Sequence, residues 1–178
     1  MGEVTLYSAD PGLRGVAVAR WEAGRLEQVL YVQPPKLSGE RGLKAAVQTV
    51  RAFTRAITPA GGARFAVEVM QPDTRSRRAQ VIAVLDVSAV AGGASCAFPW
   101  TEVIPVRAGD WTRGIPKDAR ALRIWRRLSD AERAVLPEQM RDRMEKGDIG
   151  RGKYDHCADA IGIGLYTLGR LFAAPREE

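Results

Sequence analysis

Four side chains in this 178-residue sequence stand where the stability of a fold does not call for them. Asp10 closes the first apolar run, Val4 to Ala9. Glu68 interrupts another, Phe65-Ala66-Val67-Glu68-Val69. His156 and Asp159 lie three apart near the start of a final apolar helix, so they share a face. A buried, unpaired carboxylate is expensive, and the usual remedy is a partner cation or a metal ion. Carboxylates at the ends of adjacent strands, facing a helix that offers His and Asp, suit hard divalent ions. Oxygen-rich ligation points to Mg²⁺, with Mn²⁺ as a substitute, rather than to zinc. Two such ions about 3.5–4 Å apart would activate water and stabilise the leaving oxygen in phosphodiester hydrolysis.

Each position also has a plainer reading. Asp10 before Pro11-Gly12 fits an ordinary turn. Glu68 fits a solvent-facing place on an edge strand. Asp155 fits the N-cap of the last helix better than a ligand, and His156 alone fits the surface. Asp159 is harder to dismiss, because Ala158 to Leu168 is apolar almost all round. The combination carries the reading.

Those positions need elements to hold them. Val4 to Ala9 reads as a strand stopped by Asp10-Pro11-Gly12. Gly15 to Trp21 and Leu26 to Val32 read as two more, joined by a hairpin-length link with a glycine. Pro34-Pro35 ends this meander. Helical spacing follows over Gly39 to Thr58, with Leu43, Ala46, Val47, Val50 and Phe53 or Ile57 on one face. Phe65 to Val69 is apolar enough for a parallel strand buried on both faces. A helix over about Ser76 to Val90, stopping before Gly92-Gly93, leads to a strand at Thr101 to Val106. Pro116 to Met144 is helical but broken at Ser129 and Pro137, where Ser129 and Glu132 form a capping box. Gly147, Gly150 and Gly152 mark a flexible connection, and Asp155 to Phe172 is the last helix. The expected fold is α/β: a mixed five-stranded sheet, three antiparallel strands then parallel ones, flanked by helices.

Composition narrows the class. The chain is 46% hydrophobic, enough for one good core, and it carries a net charge of +6, so a polyanionic partner is in keeping. Cys96 and Cys157 match no metal-ligand spacing, which fits a reducing compartment and argues against a disulfide framework. The first nine residues read as a strand rather than a signal peptide. No apolar run approaches the roughly 20 residues that span a bilayer. Expected organisation is one domain over residues 1–174 with a tail at 175–178.

At the level of motifs, Tyr7-Ser8-Ala9-Asp10-Pro11-Gly12 resembles the first-strand motif of the RuvC-type Holliday junction resolvases, of the ribonuclease H-like superfamily. Val67-Glu68-Val69 resembles that family's second acidic strand. His156-Cys157-Ala158-Asp159-Ala160-Ile161-Gly162-Ile163-Gly164 resembles its last motif, and the intervals between motifs match. The resemblance covers Val4 to about Val106 and Asp155 to Leu171; residues 111–152 are read as a helical extension specific to this branch. It implies a ribonuclease H-like sheet and a homodimer that nicks four-way DNA junctions symmetrically, in DNA recombination and repair. It implies two Mg²⁺ ions per site, with Asp10, Glu68, His156 and Asp159 as catalytic and metal-binding residues. His156 would ligate metal, assist proton transfer or help release product. The setting is cytoplasmic, in a bacterial cell or phage-encoded in its host, with no membrane contact. One departure stands out: the family can carry an aromatic shortly after the acidic strand, whereas Val69, Met70, Gln71 and Pro72 follow Glu68 here. Cleavage-sequence preference and junction selectivity therefore stay open.

DNA contacts are expected from Arg75, Arg77 and Arg78 just after the Glu68 strand, and from Arg107, Arg113 and Lys117 in a second basic stretch. That stretch continues through Arg120, Arg123, Arg126 and Arg127, with Trp111 and Trp125 interleaved. Arg126 and Arg127 fit a solvated helix face, with Leu122 and Trp125 turned inward. Gly162 and Gly164 fit close helix packing rather than a phosphate loop. Three other readings remain: a broader debranching nuclease, a ribonuclease H-type or RNA-processing nuclease, and an inactive nucleic-acid-binding module. His-x-x-Asp argues against the second, and competent side chains at all four positions argue against the third.

Overall fold

The computed structural model of the chain describes residues 4–35, 42–70 and 78–173. Strands β1 (Leu6–Gly12), β2 (Gly15–Glu22) and β3 (Arg25–Val32) form the antiparallel meander. Ala23 and Gly24 both take positive φ, 50° and 77°, as the two-residue hairpin between right-twisted strands requires. Asp10-Pro11-Gly12 does not stop β1. All three residues pair with β2, and the turn falls at Leu13-Arg14. Proline is tolerated because β1 has no β4 partner beyond Ala9, so its missing N–H breaks no ladder bond.

β4 (Arg64–Val69) and β5 (Glu102–Arg107) add in parallel, giving the order β3-β2-β1-β4-β5. Glu68 is thus on an interior strand, not an edge. Alternation along the strands sorts the core into two faces. Tyr7, Ala9, Val16, Val18, Phe65 and Val67 pack with helices α1 (Leu43–Ala56) and α2 (Arg78–Cys96). Leu6, Ala17, Ala19, Trp21 and Ala66 face α7 (Lys153–Thr167).

Helix α1 is rotated from its expected orientation. Ala45, Ala46, Thr49 and Phe53 are buried, while Leu43 and Val47 are exposed. Thr49 turns inward because its hydroxyl donates to the Leu13 carbonyl at 2.8 Å. Helix α2 runs through Gly92-Gly93 instead of stopping there. A Cβ on Gly93 would lie 2.6 Å from Val50, so this glycine serves the α1–α2 approach rather than a turn.

Residues 111–152 pack into the same core as α7. Helices α3 (Ala108–Thr112), α4 (Lys117–Trp125), α5 (Asp130–Ala134) and α6 (Glu138–Lys146) contribute Trp111, Ala121, Ile124, Met140 and Met144 to it. The Ser129–Glu132 capping box is formed. Helix α7 ends at Thr167, short of Phe172, because Gly169 takes φ 70° and the Arg170 N–H turns back to the Leu165 carbonyl at 2.7 Å. Gly162 and Gly164 do serve packing: added Cβ atoms would lie 2.6 Å from Trp111 and 2.2 Å from Trp21.

Candidate active site

Period-two alternation decides which carboxylates meet. In β1, Leu6, Ser8 and Asp10 point to the α7 face; in β4, Ala66 and Glu68 do the same. The parallel register ends at Ala9↔Val67, and Asp10 and Glu68 are the next residue on each strand. Ser8 sets the depth of α7 against this face. Its hydroxyl donates to the Ala160 carbonyl at 2.8 Å and accepts from Trp21 Nε1 at 2.9 Å. The first turns of α7 therefore lie over the strand ends, with His156 and Asp159 turned toward them.

His156 Nδ1 donates to Asp10 Oδ2 at 2.7 Å. That hydrogen bond raises the His156 pKa above its ordinary value; burial opposes it, and the charges of Asp10, Asp155 and Asp159 reinforce it. Tyr31 stacks on the imidazole with ring centroids 5.9 Å apart and planes 18° from parallel. It reaches across Ala17, its neighbour in the sheet, which is in turn the partner of Asp10. Asp10 is 6% exposed and Glu68 9%, so neither is the exposed turn or edge residue of the plainer readings.

Burial lifts the Glu68 carboxyl well above the ordinary range, and the nearby Asp10 charge lifts it further. A hydrogen bond from Trp111 Nε1 to Glu68 Oε1, 3.0 Å, pulls the other way. Trp111 is 1% exposed and belongs to the core; it is no surface platform for DNA. Burial also pushes Asp159 up to about 7; Arg120 opposes this, while Asp10 and Asp155 add to it. Arg120 grips Asp159 with two prongs, Nε to Oδ1 at 3.0 Å and Nη2 to Oδ1 and Oδ2 at 2.7 and 2.8 Å. Only an ionised carboxylate is satisfied by that geometry.

Asp155 is the third residue of α7, not its N-cap, which is Gly152. Its buried carboxylate pairs with Lys117. Among the other expected DNA contacts, Arg107 is exposed at the end of β5, paired in register with Val69. Arg113 is exposed, with its guanidinium 3.8 Å from the Phe172 ring centre. Arg75 and Arg77 lie outside the described residues, and Arg78 is the first residue of α2. Arg126 is exposed and Trp125 packs against the core, as the solvated-face reading expects.

Sequence reasoning does not find Tyr31, Trp111 or Arg120 as site residues. Tyr31 looks like an ordinary strand aromatic, and Trp111 reads as an aromatic of the basic, DNA-facing stretch rather than as a partner of Glu68. Arg120 reads as one member of a basic stretch, and its pairing depends on α4 lying against α7.

Three carboxylates and an imidazole make a donor set suited to a hard divalent cation. The raised carboxyls of Glu68 and Asp159 fit it as well: burial is the main cause, neighbouring carboxylates add to it, and a cation would relieve both. Among the described residues, however, no three such side chains already stand at metal-ligand spacing. Asp159 is held by Arg120 and Asp10 by His156, and these contacts must loosen for ligation.

No protein-family model matches the sequence, and no curated protein sequence matches it. The three-dimensional structure does have known counterparts. Thermus thermophilus RuvC in complex with a Holliday junction substrate is 17% identical, with 97% of this chain and 98% of that chain covered and a TM-score of 0.53. A second Thermus thermophilus RuvC structure is 16% identical over 94% of this chain and 98% of that chain, with a TM-score of 0.45. With its β3-β2-β1-β4-β5 sheet between two helical layers, the chain has the ribonuclease H-like fold of RuvC.

Proposed function

We propose that this protein is a metal-dependent, structure-selective DNA endonuclease that resolves four-way junctions by paired symmetric nicks. The observation that carries this reading is the convergence of Asp10, Glu68, His156 and Asp159, from two strands and one helix, at one end of a RuvC-like sheet. Asp10, Glu68 and Asp159 would hold the cations, with His156 as a fourth ligand or as the group that holds Asp10. Two Mg²⁺ ions, or Mn²⁺, would supply activated water and stabilise the leaving oxygen when bound. Trp111 fixes one oxygen of Glu68, and the stack of Tyr31 on His156 orients the imidazole toward Asp10. With Nδ1 donating to Asp10, Nε2 is the ring atom left to exchange a proton.

The basic residues Arg75, Arg77, Arg78, Arg107, Arg113 and Lys117 would contact phosphates and position DNA without reading bases. One nuclease unit over residues 1–174 is proposed, with residues 111–152 as part of the site through Trp111 and Arg120. Paired nicks need two sites, and a homodimer supplies them because a junction has approximate two-fold symmetry. Exposed Ile82 and Leu85 on α2, beside Leu43 and Val47 on α1, favour such an interface. The proposed setting is the cytoplasm of a bacterial cell, free or after phage infection; no helix among the described residues is long and apolar enough to cross a membrane.

A second reading, a debranching nuclease that also cuts forks and flaps, is favoured by one observation. No ring follows Glu68, and the exposed residue there is Met70. The test is incubation with labelled junctions, forks, linear duplex and RNA–DNA hybrid in Mg²⁺, Mn²⁺ or EDTA. Paired metal-dependent nicks near the junction centre are expected. Broad cutting of branched forms selects the second reading. Cleavage of hybrid alone selects a ribonuclease H-type enzyme, and no cleavage selects a binding module.

A further inference from the structure

Among the described residues, Arg120 is the basic side chain that grips a residue of the proposed site with two nitrogens, Nε and Nη2. Its contacts use both oxygens of Asp159. They sit in a short ladder between two helices. Lys117 and Arg120, three apart on α4, pair with Asp155 and Asp159, four apart on α7. The outer rung is open to solvent, with the Lys117 side chain 46% exposed; the inner rung is closed, with Arg120 and Asp159 at 12% and 16%. The Arg120 guanidinium also lies 4.8 Å from the centre of the Trp111 ring, and the same indole donates to Glu68. Arg120 thus touches Asp159 and the face of Trp111 at the same time, and the Trp111 contact does not depend on the carboxylate.

A guanidinium cannot ligate a metal ion, and it repels a dication brought to the carboxylate it holds. Asp159 cannot be shared without cost.

We propose that Arg120 is a placeholder cation: it neutralises Asp159 in the metal-free protein, is exchanged from it by the entering divalent ion, and is then free to take a backbone phosphate of the substrate. Arg120 acts through Asp159 and is a positioning residue, not a ligand. The exchange makes metal entry and phosphate binding favour each other, because each removes an obstacle to the other. It also keeps a buried carboxylate paired until the substrate arrives. The inference rests on the proposed nuclease reading, since Asp159 must be a ligand for it to hold.

The test is Mn²⁺ binding to the protein without DNA, by calorimetry and electron paramagnetic resonance, in wild type, Arg120→Gln, Arg120→Lys, Asp159→Asn and Asp10→Asn. Removing the competing charge should tighten Mn²⁺ binding in Arg120→Gln by about tenfold, the scale of a typical coupling between sites. Arg120→Lys, which keeps the charge but loses the fork, should fall between it and wild type. In unaltered protein, the Nε–H resonance of Arg120 should move out of its ion-paired position as Mg²⁺ is added, a readout that needs no variant to fold. Unchanged affinity in Arg120→Gln, or an Arg120 resonance indifferent to saturating Mg²⁺, overturns the proposal and leaves the pair structural. If Asp10→Asn still abolishes binding in that case, the nuclease reading survives. If no form of the protein binds Mn²⁺, both fall together.

Discussion

Glu132 is 1% exposed and Glu68 9%, yet their surroundings push their carboxyls in opposite directions. Burial alone would raise Glu132. It is outweighed by hydrogen bonds from Arg170 and from the Leu26 and Ser129 N–H groups, and by the Arg170 charge, which together bring the pKa down to about 2. Arg170 donates to both oxygens at 2.6 and 2.7 Å, and also to the Gly24 and Arg127 carbonyls. This knot ties the β2–β3 hairpin, α5 and the end of α7 together. Among the described residues Glu68 has one donor, Trp111, and a second carboxylate beside it. A buried acid with every lone pair answered holds a fold together. One left short of positive charge costs the fold stability, and on the proposed nuclease reading a bound cation would offset that cost.

The largest expected effect is on chemistry. Asp10→Asn and Asp159→Asn should each lower Mg²⁺-dependent junction cleavage by roughly 10²–10⁴-fold while DNA binding in a gel-shift assay survives. Full activity in either would remove that residue from the site.

Next comes Glu132→Gln, which leaves the half-buried Arg170 charge with backbone carbonyls but no counter-ion. It should cost about 3–5 kcal/mol, read as a lower urea midpoint, while the folded fraction still cleaves at the wild-type rate. Glu68→Gln should do the reverse: cleavage lost, metal-free stability raised by about 1 kcal/mol or a few degrees in Tm. If both glutamines destabilise alike, the contrast between the two regions fails.

The metal-free protein should also show an unusual pH profile. Glu68 has a folded pKa above its unfolded one, so the folded state binds more protons than the unfolded chain between about pH 4 and about pH 7, while Asp159 stays ionised in the grip of Arg120. Stability should therefore rise as pH falls from about 8 to about 5. His156, also raised, adds to the same trend, because its contribution is complete below its unfolded pKa and lost as pH climbs through the folded one. Glu132, with its depressed pKa, stays ionised throughout this window and loses its contribution only toward about 2. Saturating Mg²⁺ should flatten the profile, since the cation replaces the protons. Melting curves at several pH values with and without Mg²⁺ give the answer; a Mg²⁺-independent profile would contradict the assignment of the cluster.

A last test bears on the packing of α7. In Gly164→Ala better helix propensity gains up to about 1 kcal/mol, but the new methyl would lie 2.2 Å from the ring of buried Trp21, which Ser8 holds in place, and overpacking of this kind costs about 1–3 kcal/mol or more. A net loss of Tm is expected.

Much of this was legible in the residues alone. Strand alternation and turn glycines are local signals, so the three-strand meander, the parallel β4 and β5 and the Ser129–Glu132 cap follow from short windows of sequence. The four candidate positions were legible only in combination: Asp10 and Glu68 stand at apolar strands, His156 and Asp159 share a helix face, and together they match a motif set. Tertiary packing decided the rest. The orientation of α1 turned on Thr49 finding a carbonyl 36 residues away, which no periodicity records. Gly92 and Gly93 read as a stop locally but lie inside α2, since helix packing outweighs the propensity penalty of two glycines. Trp111, Arg120 and Tyr31 joined the site only because α3, α4 and β3 come to rest beside it, and the Glu132–Arg170 knot likewise spans 38 residues. The sequence alone determined which carboxylates are out of place. Only the tertiary structure decided which of them meet a cation of the chain's own among the described residues, because that depends on neighbours remote along the chain.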